Sequence, residues 1–434
     1  MYIASWTCRI AIRASFAKMP AAARNTWDHR LHVAALIALA MMPFALVWLR
    51  TGAEICMAAA CIFFLLHCLA AGDWAWLRSP LALLAAFTWA WLVLVVSPLA
   101  IDVAPSLQRA AGWGRYPLFF IAVTHWILRD LTQARLIALV NAALLAFILA
   151  DTILQYAHGA SLFGNLPKGE RLSGPFSNVK VGIYTARMMF PVLGFLIWRG
   201  LARGARMQAV AGAGALLALC MMILLAGERT ALLTSLLALA LAAIVSAWAY
   251  PRARPALIGA ALALALALGA LWLTQPAVQR RAQMLHEHIA HFAESPYGQL
   301  TLVSSVLTRQ YWLHGVGMHD FEEACNRLND AEHVTDHCEM HPHNPYLEWL
   351  VETGVVGLAC FVALVLLLLR QPLRLLRAHG DGFGPVMAAF GLGTLLVHFF
   401  PFMFGQSTVS NWPAMVLWLS LSLNAAFMAQ GMRA

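Results

Sequence analysis

Charged side chains are scarce in this chain: Asp, Glu, Lys and Arg together supply 11% of 434 residues. Globular domains carry about twice that share, so a water-soluble fold of this length is excluded. Acids are the scarcer sign, 20 Asp and Glu against 29 Lys and Arg. The chain also lacks zinc-finger cysteine spacing, a His-Glu-x-x-His pair and basic clusters interleaved with aromatics. Those absences leave the net charge of +9 as a topology signal, and nucleic acid is not an expected partner. Neither a repeat nor a helix broken at mid-membrane is visible, which counts against a transporter. The first thirty residues carry Arg9, Arg13, Lys18, Arg24 and Arg30 but no long apolar run. They therefore read as a cytoplasmic tail and not as a signal peptide.

What is present is apolar: 61% of residues are hydrophobic, with a mean hydropathy of +0.71. Windows of about 17 to 25 apolar residues mark membrane spans. They fall near 32–49, 53–71, 80–99, 112–128, 136–157, 183–199, 208–226, 229–249, 256–273, 346–369, 384–403 and 411–429. The fourth and sixth are interrupted at their edges by Arg115 and Arg187. The expectation is an all-α polytopic integral membrane protein of about 12 transmembrane helices. Its parts are a tail at 1–31, nine helices over 32–273 with a short outer loop at 158–182, a large outer loop at 274–345, and three helices with a short cytoplasmic end over 346–434. The charges test that map. Segments expected to be cytoplasmic hold 17 Lys and Arg and 4 acids, and the rest of the chain 12 and 16. This asymmetry places both termini inside.

Seven of the eight cysteines divide the same way. Cys56, Cys61, Cys68, Cys220 and Cys360 fall in spans and read as packing residues. Cys325 and Cys338 share the large outer loop, where an oxidising compartment favours a disulfide.

The large loop concentrates titratable groups, with 9 of the 16 histidines. His286, His288 and His291 cluster there without a zinc-site pattern, so solvated surface histidines are the expectation. His343 differs in its context. Asn344 suits an N-cap and Pro345 the first helical position, so His343 sits at the mouth of a span. There it is either a proton-transfer group or an interfacial histidine satisfied by hydrogen bonds. Gly354 and Gly357 on the helix that follows would let a neighbouring backbone approach closely. Glu348, one turn along, is in register either to hold the imidazole or to serve an inward structural role.

Arginines form the second pattern. Gly227-Glu228-Arg229-Thr230 joins two long apolar spans with almost no loop, and an arginine so near the bilayer is a functional candidate by default. Its alternatives are a contact with Glu228 or snorkelling to the interface. Guanidinium forks suit phosphate oxygens. Arg171, Lys180, Arg187, Arg109 and Arg115 add outer-face cations.

These residues together resemble the O-antigen ligase and polymerase superfamily. The resemblance rests on His343-Asn344 followed by Gly354-x-x-Gly357, on Gly315-Val316-Gly317 with Phe321, on Arg229 at the head of a span, and on Arg171-x-x-Gly174-x-Phe176-x-Asn178. It implies a metal-independent, inverting glycosyltransferase of the lipid-donor (GT-C-like) class, without cofactor, in the inner membrane of a Gram-negative cell. Its site would face the periplasm and take glycan from undecaprenyl pyrophosphate. On that likeness His343 handles the acceptor hydroxyl and Arg229 the pyrophosphate. Arg171, Lys180, Asn344 and Glu348 are the supporting binding residues. Where relatives carry a Ser-Arg pair, this chain has Ser295-Pro296-Tyr297. The second phosphate contact is therefore expected from Arg309, with Arg280 and Arg281 as alternatives. One large outer loop favours an O-antigen ligase, with lipid A–core oligosaccharide as acceptor. An O-antigen polymerase, a protein O-oligosaccharyltransferase and, outside the class, a polyprenyl-glycan transporter are the other readings.

Overall fold

The computed structural model describes residues 21–332, 334–335, 338–377 and 383–433. Most of the expected N-terminal tail, residues 1–20, lies outside the described residues. From Ala21 the chain is already helical and runs straight into the first span. In order the helices are α1 (Ala21–Trp48), α2 (Arg50–Ala71), α3 (Pro80–Trp91), α4 (Val103–Trp113), α5 (Arg115–Ala122), α6 (Leu131–His158), α7 (Val181–Ala202) and α8 (Arg206–Ala226). They continue as α9 (Arg229–Ala249), α10 (Arg254–Thr274), α11 (Pro276–Ala290), α12 (Pro296–Gln310), α13 (Phe321–Glu332), α14 (Pro345–Arg377), α15 (Gly384–Phe399) and α16 (Asn411–Arg433). Among the described residues there is no strand, only an isolated bridge between Lys168 and Arg171. The protein is an all-α polytopic membrane protein.

Local chemistry sets many of the ends. Ser79 accepts a hydrogen bond from Ala82 N at 3.2 Å and Pro80 opens α3. Asp130 accepts from Thr132 N at 2.8 Å to start α6, which stops at Gly159 in the left-handed region. These are side-chain N-caps and a glycine C-cap.

Ten helical segments among the described residues are long and apolar enough to cross a bilayer. Two of the twelve expected spans are shorter. Residues 112–128 are divided between α4, α5 and a π-helical turn at Val123–Ile127, with the joint at Gly114. The amphipathic α4 separates from the apolar run because it carries Arg109 and Gln108 along an otherwise hydrophobic segment. The eleventh span is α15, 16 residues long.

Burial sorts the spans. Helices α7 and α16 are almost entirely buried and form the centre of the bundle, whereas no residue of the apolar stretch of α10 is buried, which leaves that helix at the periphery. Arg187 sits on the central helix and not at an edge, 4% exposed. It donates to the Pro413 carbonyl at 3.1 Å. A buried intramembrane arginine needs such acceptors, and facing the bundle interior is how membrane proteins tolerate one.

Alternation of the spans brings the loops around 159–180, 227–228, 275–344 and 400–410 to one face. The large loop is folded. Leu300, Val303, Leu307, Val316, Phe321, Ala324, Leu328 and Val351 make a separate small core, and Cys325 and Cys338 are joined with their Cα atoms 5.7 Å apart.

This small core is tied to the bundle by a break in α14. Gly354 has φ 73° and ψ −176°, a conformation essentially reserved for glycine. The helix opens there, and the segment 312–317 takes up its loose ends. Val355 N donates to the Trp312 carbonyl at 2.9 Å, Val316 N to Val351 O at 2.8 Å and Gly317 N to Glu352 O at 3.1 Å. Trp91 Nε1 donates to Thr353 O at 3.1 Å. Irregular backbone at this depth survives because its polar groups find protein partners. Gly315 faces the same junction: a Cβ there would collide with the Glu352 backbone. Gly354 does admit a neighbouring backbone, that of Leu313 and His314, whereas the atoms nearest a Cβ at Gly357 are those of the Thr353 side chain of its own helix.

Candidate functional site

A cavity of about 200 Å³ opens on the outer-loop face between the heads of α7 and α9 and the segment 403–406. Arg171, Arg187, Arg229, Glu228, Tyr297 and His343 line it. Residues far apart in sequence thus converge on one space.

Arg229 arrives there because Gly227, with φ 78°, ends α8 in the left-handed region and α9 begins two residues later. The turn is too short to carry Arg229 out into solvent. Glu228 does not neutralise it. The buried Glu228 carboxylate instead accepts from Arg171 Nη2 at 2.6 Å. Burial raises the Glu228 pKa, and Arg171 offsets that only in part. Arg229 keeps a buried Nη1 with no hydrogen-bond partner. An unsatisfied buried guanidinium donor is costly, so Arg229 stands beside the cavity with hydrogen-bonding capacity unused.

His343 lies at the other side. Its backbone is left-handed, φ 59°, a strained state for a residue with a Cβ and one that clusters at functional sites. Nδ1 donates to the Gly405 carbonyl at 3.1 Å. A carbonyl only accepts, so this bond fixes the proton on Nδ1 and leaves Nε2 with its lone pair. Nε2 lies 4.0 Å from the Glu339 carboxylate. Tyr297 sets its ring edge-on to the imidazole, with 6.4 Å between the centroids, and packs on Phe404.

Gly227, Glu228 and Arg229 also line a second, apolar cavity of about 220 Å³. Leu232, Leu233 and Leu236 of α9 form one wall and Leu268 and Trp272 of α10 another. Arg281 of α11 closes its polar end, donating to the Leu224 carbonyl at 3.0 Å and to the Glu170 carbonyl. Burial lowers the Arg281 pKa and Glu170 counters that.

Several expected residues are placed elsewhere. Arg309 is exposed in the last turn of α12 and does not line the cavity; of its two alternatives, Arg281 lines the adjoining apolar cavity with Arg229. Lys180 stacks on Trp412, 4.5 Å from the ring centroid, and is likewise absent from the lining. Glu348 does not touch the imidazole. Its Oε2 accepts from Thr408 N and Thr408 Oγ1, both at 2.7 Å, which anchors the loop that carries Gly405. Asn344 is committed at both ends. Its Oδ1 caps α14 through Tyr346 N at 2.9 Å and Leu347 N at 3.2 Å, and its Nδ2 donates to Pro401 O at 2.7 Å and Met403 O at 3.2 Å. Arg187 was counted among the outer-face cations without a site role, and Tyr297 was not proposed for the site. An arginine inside an apolar window was the available signal for the first, and Tyr297 carried none. No three His, Cys, Asp or Glu side chains converge on a metal position among the described residues.

Residues 213–362 match the model of the O-antigen ligase family. The match runs from α8 into α14 and includes Arg229, the folded outer loop, His343 and Gly354. No curated protein matches the chain.

Proposed function

We propose that this chain, whose residues 213–362 are of the O-antigen ligase family, is an O-antigen ligase. In this reading it moves O-antigen glycan from undecaprenyl pyrophosphate to lipid A–core oligosaccharide at the periplasmic face of the inner membrane. The family match carries the coarser statement, a ligase- or polymerase-type role in O-antigen biosynthesis. The observation that supports the mechanism is one cavity lined by His343 and Arg229, with residues 227–229 also lining an adjoining apolar cavity.

The donor's pyrophosphate docks on Arg229, with Arg281 as the second cation, and its polyprenyl chain enters the apolar cavity along α9 and α10. His343 Nε2 takes the proton from the acceptor hydroxyl as its oxygen bonds the anomeric carbon. The bond from that carbon to the pyrophosphate breaks on the opposite face, which inverts the configuration. Undecaprenyl pyrophosphate departs with its growing negative charge held by the arginines.

The envelope profile of a strain lacking the protein tests this. Loss of long-chain lipopolysaccharide with accumulation of polymerised lipid-linked glycan is expected. Lipopolysaccharide capped with a single repeat would replace the ligase reading with a polymerase.

A further inference from the structure

A third cavity, of about 170 Å³, lies on the same face on the other side of the α16 head. Gln108, Arg109, Gly112, Arg115, Tyr116 and Asn411 line it. Asn411 and Pro413 share the first turn of α16. Asn411 opens into this space, while the Pro413 carbonyl binds Arg187 of the first cavity.

Two guanidiniums meet here on one neutral oxygen. Arg109 Nη1 donates to Asn411 Oδ1 at 2.9 Å and Arg115 Nη2 donates to the same atom at 3.2 Å. Arg115 Nη2 also reaches the Tyr116 hydroxyl at 3.0 Å, and Arg115 Nε is buried with no partner. Among the described residues neither arginine has an ion-pair partner. The nearest carboxylate in the network, Glu54, accepts from Asn411 Nδ2 at 3.0 Å and pairs with Arg50 at 3.8 Å. Glu352 is within electrostatic reach of Arg109 but is wholly enclosed on α14 and bonded to His319 N. With Glu54 matched to Arg50, two positive charges at the mouth of this cavity stay unbalanced.

We propose that this cavity is a phosphate-binding site that takes a phosphate monoester, held by Arg109 and Arg115 across Asn411. A monoester carries about −1.5 to −2 charge near neutral pH, which matches the two unbalanced guanidiniums, and its three oxygens suit paired forks. A phosphodiester headgroup carries a single charge and leaves one arginine unmatched. The site lies at the head of a buried span, level with the cavity that holds His343. It therefore suits a phosphate borne on a lipid or glycolipid headgroup, and free phosphate shares the chemistry.

The test uses the full chain in phosphatidylcholine nanodiscs doped with phosphatidic acid, whose headgroup is a phosphate monoester, or with phosphatidylglycerol, a diester. Retained lipid is counted by native mass spectrometry. The wild type is expected to keep phosphatidic acid in preference to phosphatidylglycerol, and the double variant R109Q/R115Q to lose it by about tenfold or more. Gln108→Glu is the second variant: it places a carboxylate on the exposed rim without removing a hydrogen bond and is expected to weaken retention in the same direction. Competition by inorganic phosphate would identify free phosphate as a ligand of the site, and its failure to compete would identify the lipid-borne group. Equal retention in wild type and both variants overturns the proposal, as does equal retention of the diester.

Discussion

His343 and Gly405 hold each other by two hydrogen bonds. Gly405 N donates to the His343 carbonyl at 2.5 Å, and His343 Nδ1 donates to the Gly405 carbonyl at 3.1 Å. The backbone bond keeps the histidine in its left-handed conformation, and the side-chain bond orients the ring. An imidazole fixed in position and tautomer is prepared for proton transfer before substrate arrives.

His343→Ala is therefore expected to lower glycan attachment by about 10²- to 10⁴-fold, the usual contribution of a general base. Protein level and lipid-linked donor should be unchanged. Gel analysis of lipopolysaccharide from membranes carrying the variant gives the answer, and full attachment would remove His343 from the chemistry.

The pairing of Arg171 with Glu228 leaves Arg229 as the arginine with an unpartnered donor in the first cavity. Arg229→Lys keeps a charge but not the fork. We expect transfer to fall about 10²-fold or more, whereas Arg309→Lys, at an exposed helix end, should leave it within about twofold of wild type. Equal losses in both variants would show that charge on this face matters and the cavity does not.

Gly354→Ala is expected to cost about 3 kcal/mol or more, from backbone strain and from collision of the new methyl group with the Leu313 carbonyl. At Gly357 the atoms nearest a new methyl group are a threonine side chain and not backbone, and φ is not left-handed, so Gly357→Ala should cost less. Thermal unfolding in detergent compares the two, and equal midpoints would mean that the break in α14 relaxes freely.

The Cys325–Cys338 bond closes a 13-residue separation within the small core of the outer loop. A loop of that size is worth about 3 kcal/mol in chain entropy. Reductant, or a double serine variant, should expose the loop to protease while the spans stay protected. Unchanged cleavage would show that the small core holds without it.

Much of this architecture was legible because lipid rewards an apolar run whatever its neighbours are. The ten long spans and the position of His343 at the mouth of one of them follow from apolar runs and helix-start residues alone. Features made by partners distant in sequence were not legible. The hydropathy of α14 runs unbroken through Gly354, because an apolar pattern does not register where backbone donors go. Arg171 and Glu228 are 57 residues apart, and nothing in either segment announces the other. The sequence favoured Arg309 over Arg281, both cations of one loop. Only the packing of α11 beneath Glu170 places one against the apolar cavity and leaves the other in solvent.

Acid stability separates two groups of the large loop. Burial and the neighbouring His343 push the His341 pKa down to about 4, whereas an unfolded histidine titrates near about 6.5. As pH falls from about 6.5 toward 4 the unfolded chain binds a proton that the folded chain refuses, so stability drops. Asp320 works the other way. Burial pushes its carboxyl up to about 6, so over the interval from about 6 down to its unfolded value the folded chain binds the extra proton and gains stability. The fall in melting temperature between pH 7.5 and pH 5 should therefore shrink in His341→Gln and grow in Asp320→Asn. Identical falls in wild type and both variants would mean that neither group is enclosed as the packing around Gly405 and Asp102 requires.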